Sequence, residues 1–201
     1  MINKLLCMLA LFALISCSGR NVNIQTEDNN SMADDTIKEN IVEESKVGER
    51  ISGNFDGRSS DEYAYIVKVR EGEGNPIDDD NAIAEEYAVR FSNKEIADLS
   101  IGCCDATLVF EGDLNGDGAD EFSVFQAPMN GCVYHWMTYT YKSGEWKELF
   151  DMFLIPTGCE GLFDDERLLN MVFLRDGDVY YYERDINDEN LGWIKVKAVL
   201  K

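Results

Sequence analysis

Hydrophobic and polar residues alternate along several stretches of this 201-residue chain, mostly beyond Gly48. Period two is typical of a half-buried β-strand, because successive side chains point to opposite faces of a sheet. The first predicted strand has tyrosines and valines on one face and bases on the other: Tyr63, Tyr65, Val67 and Val69 against Lys68 and Arg70. The alternation recurs in two further sets: Tyr87, Val89, Phe91 and Val133, His135, Met137, Tyr139, Tyr141.

Turn residues join these strands to partners. Ser143-Gly144 predicts a hairpin that ends in a partner strand around Trp146. Asp176-Gly177 predicts a second hairpin between stretches 171–174 and 179–182, and stretch 193–200 predicts a final strand.

One short helix is predicted after Leu162. Asp164 or Asp165 is its N-cap, since a side-chain oxygen there can accept from a free backbone N–H of the first turn. The residues expected inside it are Arg167, Leu168 and Leu169. We therefore expect a mainly β fold: antiparallel, with an open or curled sheet of blade-like repeats and at most one short helix.

The N-terminus carries a different pattern. Lys4 is followed by an apolar run from Leu5 to Ile15, which is shorter than the roughly 20 residues that a membrane-spanning helix needs and is typical of a signal peptide. The run ends in Leu14-Ile15-Ser16-Cys17, which resembles the lipobox of exported bacterial lipoproteins. The resemblance implies that Cys17 becomes the lipidated, palmitate-bearing N-terminus and that Ser18 favours the outer membrane. An ordinary secretory signal with an incidental cysteine is the alternative.

Composition separates a tether from a folded domain in the rest of the chain, and the net charge excludes one class of partner. Residues 18–47 are polar and acidic without a sustained period, which predicts a flexible acidic tether, and 48–201 form a single β-rich domain. The chain has 39 Asp and Glu against 18 Lys and Arg, a formal charge of −21, so we expect no nucleic acid partner. Contact with a membrane is expected only through the N-terminal lipid.

An internal repeat lies in the predicted domain. Gly53-Asn54-Phe55-Asp56 leads into Asp61-Glu62-Tyr63, and Gly112-Asp113-Leu114-Asn115 leads into Asp120-Glu121-Phe122, so the two loops are 53–62 and 112–121. Each is followed by a β run. A fixed offset of this kind is typical of stacked β units or propeller blades, although the domain is too short for a complete propeller.

The second loop has the spacing of a calcium loop. Counting from Asp113 as position one, oxygen-bearing side chains stand at positions one, three, five and nine, and Gly118 at position six permits a tight turn. The predicted ligands are the side chains of Asp113, Asn115, Asp117 and Glu121 and the carbonyl of Ala119. The four acids of the loop, Asp120 among them, are expected to gather around one structural calcium ion. The alternative is an Asp/Asn/Gly turn that binds no metal.

The same residues, followed directly by Phe122-Ser123-Val124-Phe125, resemble the calcium loop of FG-GAP and VCBS repeats, which form integrin-like β-propellers. The resemblance implies the same five ligands. It covers about thirteen residues of the chain.

The first loop lacks this pattern at one position. Aligned on its Asp-Glu pair, it has Arg58 where the second loop has Asp117. We infer that the guanidinium of Arg58 replaces the cation by pairing with Asp56 or Asp61, which leaves a metal-free version of the turn and one calcium ion per chain.

Four cysteines remain after Cys17: Cys103, Cys104, Cys132 and Cys159. Export favours disulfides, and four cysteines allow three pairings. If Cys103 and Cys104 lie on an extended strand, their side chains point to opposite faces, so each is expected to bond to a different one of the other two. A vicinal bridge is the less favoured pairing, and a zinc site is disfavoured because no Cys-x-x-Cys is present.

Two functions are consistent with these features. The first is a lipid-anchored, non-catalytic module that presents a surface to a protein or glycan in the cell envelope, with Tyr134, Trp136 and Trp146 either contributing contact area or packed in the core. The second is an exported, glycosidase-like hydrolase with paired carboxylates, for which no spacing selects a pair. The single histidine, His135, has no catalytic motif around it and is expected to pack among aromatic residues.

Overall fold

The structure is a computed structural model that describes residues 45–58, 62–74, 79–159, 163–185, 187–190 and 192–201. All of them belong to one compact unit, Ile41–Lys201. The predicted signal peptide, the lipidation site at Cys17 and nearly all of the tether lie outside the described residues.

The described part contains thirteen strands and one helix. In chain order they are β1 (Val47–Gly48), β2 (Arg50–Gly53), β3 (Glu62–Arg70), β4 (Glu86–Phe91), β5 (Leu99–Gly102), β6 (Ala106–Gly112), β7 (Glu121–Gln126), β8 (Val133–Lys142), β9 (Glu145–Glu148), β10 (Phe153–Pro156), α1 (Asp165–Leu169), β11 (Val172–Arg175), β12 (Asp178–Arg184) and β13 (Trp193–Lys197).

The predicted fold class is confirmed: strands make up 51% of the described residues, the sheets among them are antiparallel, and none of these sheets closes into a barrel. Strands β2 to β5 pair in chain order and form the first meander. Strands β6 to β9 also pair in chain order and form the second meander, to which β1 and β10 add edges. Strands β11 to β13 form a third sheet.

The hairpins and the helix follow the predicted turn signals. Strand β8 pairs with β9 around Ser143 and Gly144, and β11 pairs with β12 around Asp176 and Gly177. The helix starts after Asp164, whose side chain accepts from the backbone N–H of Arg167. The final strand ends at Lys197, three residues before the predicted end.

Two hydrophobic clusters sandwich the second meander. On one face, Phe125 and Trp136 pack with Val172 and Val179 of the third sheet and with Leu168 of α1. The other face packs against the first meander through a set that includes Ile51, Phe55, Val89, Phe91, Phe122 and Val124. All six residues of β7 are buried, because this strand is covered on both faces.

The alternation in β3 predicts a strand but not its buried face. Ala64 is fully buried and Glu62 is 4% exposed, whereas Tyr63 and Tyr65 are half-buried. The core therefore lies on the side opposite to the tyrosines. The Tyr63 ring is covered instead by the guanidinium of Arg50, 3.7 Å from its centroid.

Candidate functional site

The candidate calcium loop connects β6 to β7. It opens at Gly112, which pairs with Glu121 across the two strands. Gly116 and Gly118 have φ angles of 78° and 90°, in the left-handed region that glycine adopts without a steric penalty. The tight turn predicted at Gly118 is therefore present.

Three of the predicted ligands turn their oxygens toward the inside of the loop. Asp113 accepts from Gly116 N–H at 2.7 Å and from Gly118 N–H at 3.0 Å. Asn115 Oδ1 accepts from Asp117 N–H at 2.8 Å, and Asp117 Oδ1 accepts from Ala119 N–H at 3.0 Å. The loop thus orders oxygens from alternate positions. Asp113 Oδ2, Asn115 Oδ1 and Asp117 Oδ1 each accept one of these bonds and keep a lone pair, whereas Asp113 Oδ1 accepts from both Gly116 and Asp117.

The fourth predicted side-chain ligand, Glu121, anchors the start of the loop. Its side chain is fully buried, and its oxygens accept from Leu114 N–H and from Asn115 Nδ2, each at 2.7 Å. Burial raises the pKa of Glu121 to about 7, and hydrogen bonds, that of Thr140 first, oppose the shift. A carboxylate has about four lone-pair sites, so these contacts leave capacity for a cation.

The donor set fits calcium in kind, since every predicted ligand is a hard oxygen. Within the described ranges, however, no three His, Cys, Asp or Glu side chains form a group that could hold a metal ion. The loop brings Asp113, Asn115 and Asp117 to one turn. A bound cation would have to share the oxygens of Glu121 with Leu114 and Asn115.

Asp120 does not join the other acids of the loop, contrary to expectation. Its Oδ2 accepts from the N–H of Asn54 at 2.7 Å, and its own N–H donates to the Asn54 carbonyl at 2.8 Å. Asn54 Nδ2 also donates to the Gly118 carbonyl at 3.2 Å. The two repeat loops therefore pack directly on each other, a contact that neither loop sequence predicts alone.

The first loop reproduces the buried anchor of the second. Glu62 accepts from Phe55 N–H at 3.1 Å, seven residues apart, as Glu121 accepts from Leu114 seven residues apart. Gly53 pairs with Glu62 as Gly112 pairs with Glu121. The second oxygen of Glu62 accepts from Asn93 Nδ2 at 2.8 Å, which is the role that Asn115 has for Glu121.

The interior of the first loop is closed by an ion pair. Arg58 Nε lies 3.1 Å from Asp56 Oδ2, one of the two predicted partners, while Asp61 lies outside the described residues. The guanidinium also bonds to Glu95 at 3.0 Å. The sequence comparison misses Glu95 because it follows β4, beyond the repeated segment.

A second carboxylate with a raised pKa, that of the half-buried Glu111, lies beside the loop. Glu111 accepts from Ser123 Oγ at 2.5 Å, and Ser123 in turn lies 2.8 Å from Thr138 Oγ1. Burial raises the pKa of Glu111 to about 8, the hydrogen bond from Ser123 opposes that shift, and the charge of Glu121 adds to it. This polar row crosses β6, β7 and β8, so no single strand carries a sequence signal of it.

The predicted disulfide pairing is wrong: the structure joins Cys103 to Cys104 and Cys132 to Cys159. The expectation assumed an extended strand at Cys103 and Cys104. Strand β5 instead ends at Gly102, whose φ is 71°, and both cysteines lie in the bend that follows. In a bend, neighbouring side chains are not forced to opposite faces.

Three of the clefts that described residues line border the predicted loop, aromatic or cysteine residues. The largest of these three, about 440 Å³, lies between the two meanders; its lining includes Glu49, Ile66, Tyr87, Asp105, Phe125 and Tyr134. A cleft of about 240 Å³ lies beside the candidate calcium loop; its lining includes Asn115, Asp117, Thr140, Lys147, Glu148 and Lys201. A cleft of about 320 Å³ is lined by Glu71, Ile83, Glu85, Cys103, Cys104 and Met129, among others.

The aromatic residues considered for a binding surface mostly belong to the core. Trp136 is fully buried, and Trp146 packs against Phe91, with their ring centroids 4.8 Å apart. Tyr134 is half-buried, stacks on Phe125 at 4.7 Å and lines the largest cleft. His135 is half-buried in β8 opposite Gln126.

The only helix within the described ranges, α1, is neither long nor apolar enough to cross a membrane. No protein-family model, no curated protein and no solved structure matches the chain.

Proposed function

We propose that this protein is a non-catalytic binding module of the bacterial cell envelope, anchored to the outer membrane by a lipid on Cys17 and stapled by one calcium ion. The anchor rests on the apolar run and the Leu-Ile-Ser-Cys sequence at its end. Metabolic labelling with a radioactive fatty acid tests it: the label should enter the protein and be absent from the Cys17→Ser variant. A Cys17→Ser variant that still carries the label would contradict the anchor.

The calcium staple is supported by the inward oxygens of Asp113, Asn115 and Asp117 and by the exposed, acidic character of the loop. A divalent cation bound there would offset part of the repulsion among three side-chain carboxylates, Asp113, Asp117 and Glu121, within one short turn. It would hold the ends of β6 and β7 together. These are properties of a structural site, and they involve no bond-making step.

The observation that carries the binding role is the cleft of about 440 Å³ between the two meanders. Its volume lies in the range of small-ligand sites. A stable protein interface is a broader surface, which buries about 800 Å² on each partner. Tyr87 donates to Asp105 at 3.1 Å, and the ring of Tyr134 lies against Phe125. An aromatic ring beside a carboxylate acceptor suits the apolar face and the hydroxyl groups of a sugar, so we take a glycan as the partner.

The hydrolase alternative requires a cleft with two carboxylates of raised pKa. The two glutamates with clearly raised pKa values, Glu111 and Glu121, line none of the three clefts described above. Glu121 is fully buried and bonded to protein donors. No observation therefore favours hydrolysis over binding.

Calorimetric titration with oligosaccharides prepared from bacterial envelopes tests the binding role. Tyr134→Ala is expected to weaken binding about tenfold or more, by removing a ring contact of about 1.5 kcal/mol. Tyr182→Ala, which changes an exposed tyrosine of the third sheet, is the matched control and should leave affinity unchanged. Equal affinities for both variants would contradict glycan binding in this cleft. Release of shortened sugars would favour the hydrolase.

A further inference from the structure

The two disulfides of this protein stand in different relations to the fold. Cys132–Cys159 spans 27 residues and ties the start of β8 to the segment after β10. Cys103–Cys104 spans a single residue step. A disulfide stabilises a fold chiefly by closing a loop in the unfolded chain, which lowers the conformational entropy of the unfolded state. A bond between neighbouring residues closes no such loop. The vicinal pair therefore contributes almost nothing to stability by that route.

The vicinal pair lies instead in the wall of the 320 Å³ cleft. Both cysteines are half-buried, so a small reagent in the cleft can reach them. The same wall holds Met129, a methionine that is 55% exposed. Three sulfur-bearing residues thus border one opening on the surface.

The rest of the lining adds negative charge. Glu71 and Glu85 both border the cleft. Lys68 lies 2.9 Å from the Glu85 carboxylate and 3.4 Å from that of Glu71, so one base faces two acids. A cation entering the cleft meets a net negative wall as well as the sulfur atoms.

We propose that the reduced form of this cleft is a binding site for a soft metal cation of the Cu(I) class, held by the thiolates of Cys103 and Cys104 with Met129 as a further ligand. Thiolate and thioether sulfur select soft d¹⁰ cations over calcium or magnesium. The two cysteines are chain neighbours that border the same cleft, so reduction of their bond leaves two thiols next to each other. The oxidised pair has no thiolate to offer, and the site therefore exists only after reduction.

The redox step needs a dithiol reductant. The dithiol transfers two electrons and two protons to the Cys103–Cys104 bond and becomes a disulfide itself, which leaves two protein thiols. Binding of Cu(I) then releases the thiol protons to solvent. The oxidation state of the metal does not change.

Titration of Cu(I) against a chromophoric Cu(I) chelator tests the site without oxygen. All samples are the full chain with Cys7→Ser and Cys17→Ser, so that only the four cysteines of the domain remain. In the further Cys132→Ser, Cys159→Ser background, we expect one Cu(I) per chain after reduction and none in the oxidised protein. Met129→Leu in that background should weaken the affinity about tenfold. An unchanged affinity, binding by the oxidised protein or no binding by the reduced protein would overturn the proposal.

A second measurement covers the case in which loss of Cys132–Cys159 prevents folding. In the reduced protein that keeps all four cysteines, Cu(I) should protect Cys103 and Cys104 from alkylation more strongly than Cys132 and Cys159, as read by peptide mass spectrometry. Equal protection of both pairs, or protection of Cys132 and Cys159 alone, would overturn the proposal.

Discussion

The two repeat loops have the same backbone anchor but different charged side chains inside the turn. Both use a buried glutamate, Glu62 or Glu121, to hold the backbone N–H seven residues earlier. In the first loop Arg58 pairs with Asp56, whose side chain is 2% exposed. In the second loop Asp117 stands where Arg58 would be, and the interior holds acids without a base. The comparison teaches that the anchor is shared, whereas the charge at position five decides whether an arginine or a cation closes the turn.

Removal of the shared anchor should have the largest effect. Glu121→Ala leaves the buried N–H of Leu114 without its acceptor, leaves the amide of Asn115 with only Thr140 Oγ1, and opens a cavity at a fully buried position. We expect a loss of about 3 kcal/mol in the free energy of unfolding. Denaturant titration measures it. Glu62→Ala should lose a similar amount, because its contacts are equivalent. If one loop tolerates the change and the other does not, the two anchors are not equivalent.

The next effect should come from calcium, which we expect to bind the second loop and not the first. With an affinity of about 0.1 mM, which is typical of extracellular sites, about 1 mM calcium should raise the free energy of unfolding by about 1.4 kcal/mol. Asp117→Arg, which copies the first loop, should abolish this gain, whereas Asp176→Arg at an exposed hairpin tip should retain it. Chemical denaturation with calcium and with chelator measures both. A gain that survives Asp117→Arg would place calcium elsewhere.

Loss of the contact between the two loops should have a smaller effect on the free energy of unfolding than loss of an anchor glutamate. Asp120→Ala removes the carboxylate that accepts from Asn54 N–H at 2.7 Å, and we expect a loss of about 1.5 kcal/mol, since the bond is charge-assisted and half-buried. Asp120→Asn keeps an acceptor and should recover part of it. Thermal unfolding with and without calcium distinguishes this role from metal binding: the calcium gain should persist in Asp120→Ala.

Removal of the arginine of the first loop should change the free energy of unfolding least. Arg58 is 64% exposed, and Asp56 keeps hydrogen bonds from Arg58 N–H and Asn93 Nδ2 when the guanidinium is removed. We therefore expect Arg58→Ala to lose no more than about 1 kcal/mol, and less at high salt. Unfolding at low and high ionic strength measures the difference. A larger loss without salt dependence would mean that the ion pair is a second anchor.

Much of the fold follows from local sequence. Both turn dipeptides, the N-cap Asp164 and the strand alternation match the structure, because each depends on residues close in the chain. The repeat spacing also identifies Glu62 and Glu121 as equivalent positions. The buried face of β3 cannot be predicted in this way, because period two fixes which residues share a face and leaves open which face meets the hydrophobic core.

The remaining errors depend on long-range contacts or on one local bend. Asp120 bonds to a residue 66 positions away, so its own loop gives no signal of that partner. Glu95 reaches Arg58 from outside the repeat for the same reason. The vicinal disulfide was missed because Gly102 ends β5 one residue before the cysteines, and a single glycine is a weak signal of a strand end.

The most direct test of this account is a count of bound calcium in the purified protein by atomic emission, after equilibrium dialysis at about 1 mM calcium. One calcium ion per chain is the predicted result, and Asp117→Arg should reduce it to none. Two ions per wild-type chain would contradict the substitution of Arg58 for a cation in the first loop. No bound calcium would contradict the metal site in the second.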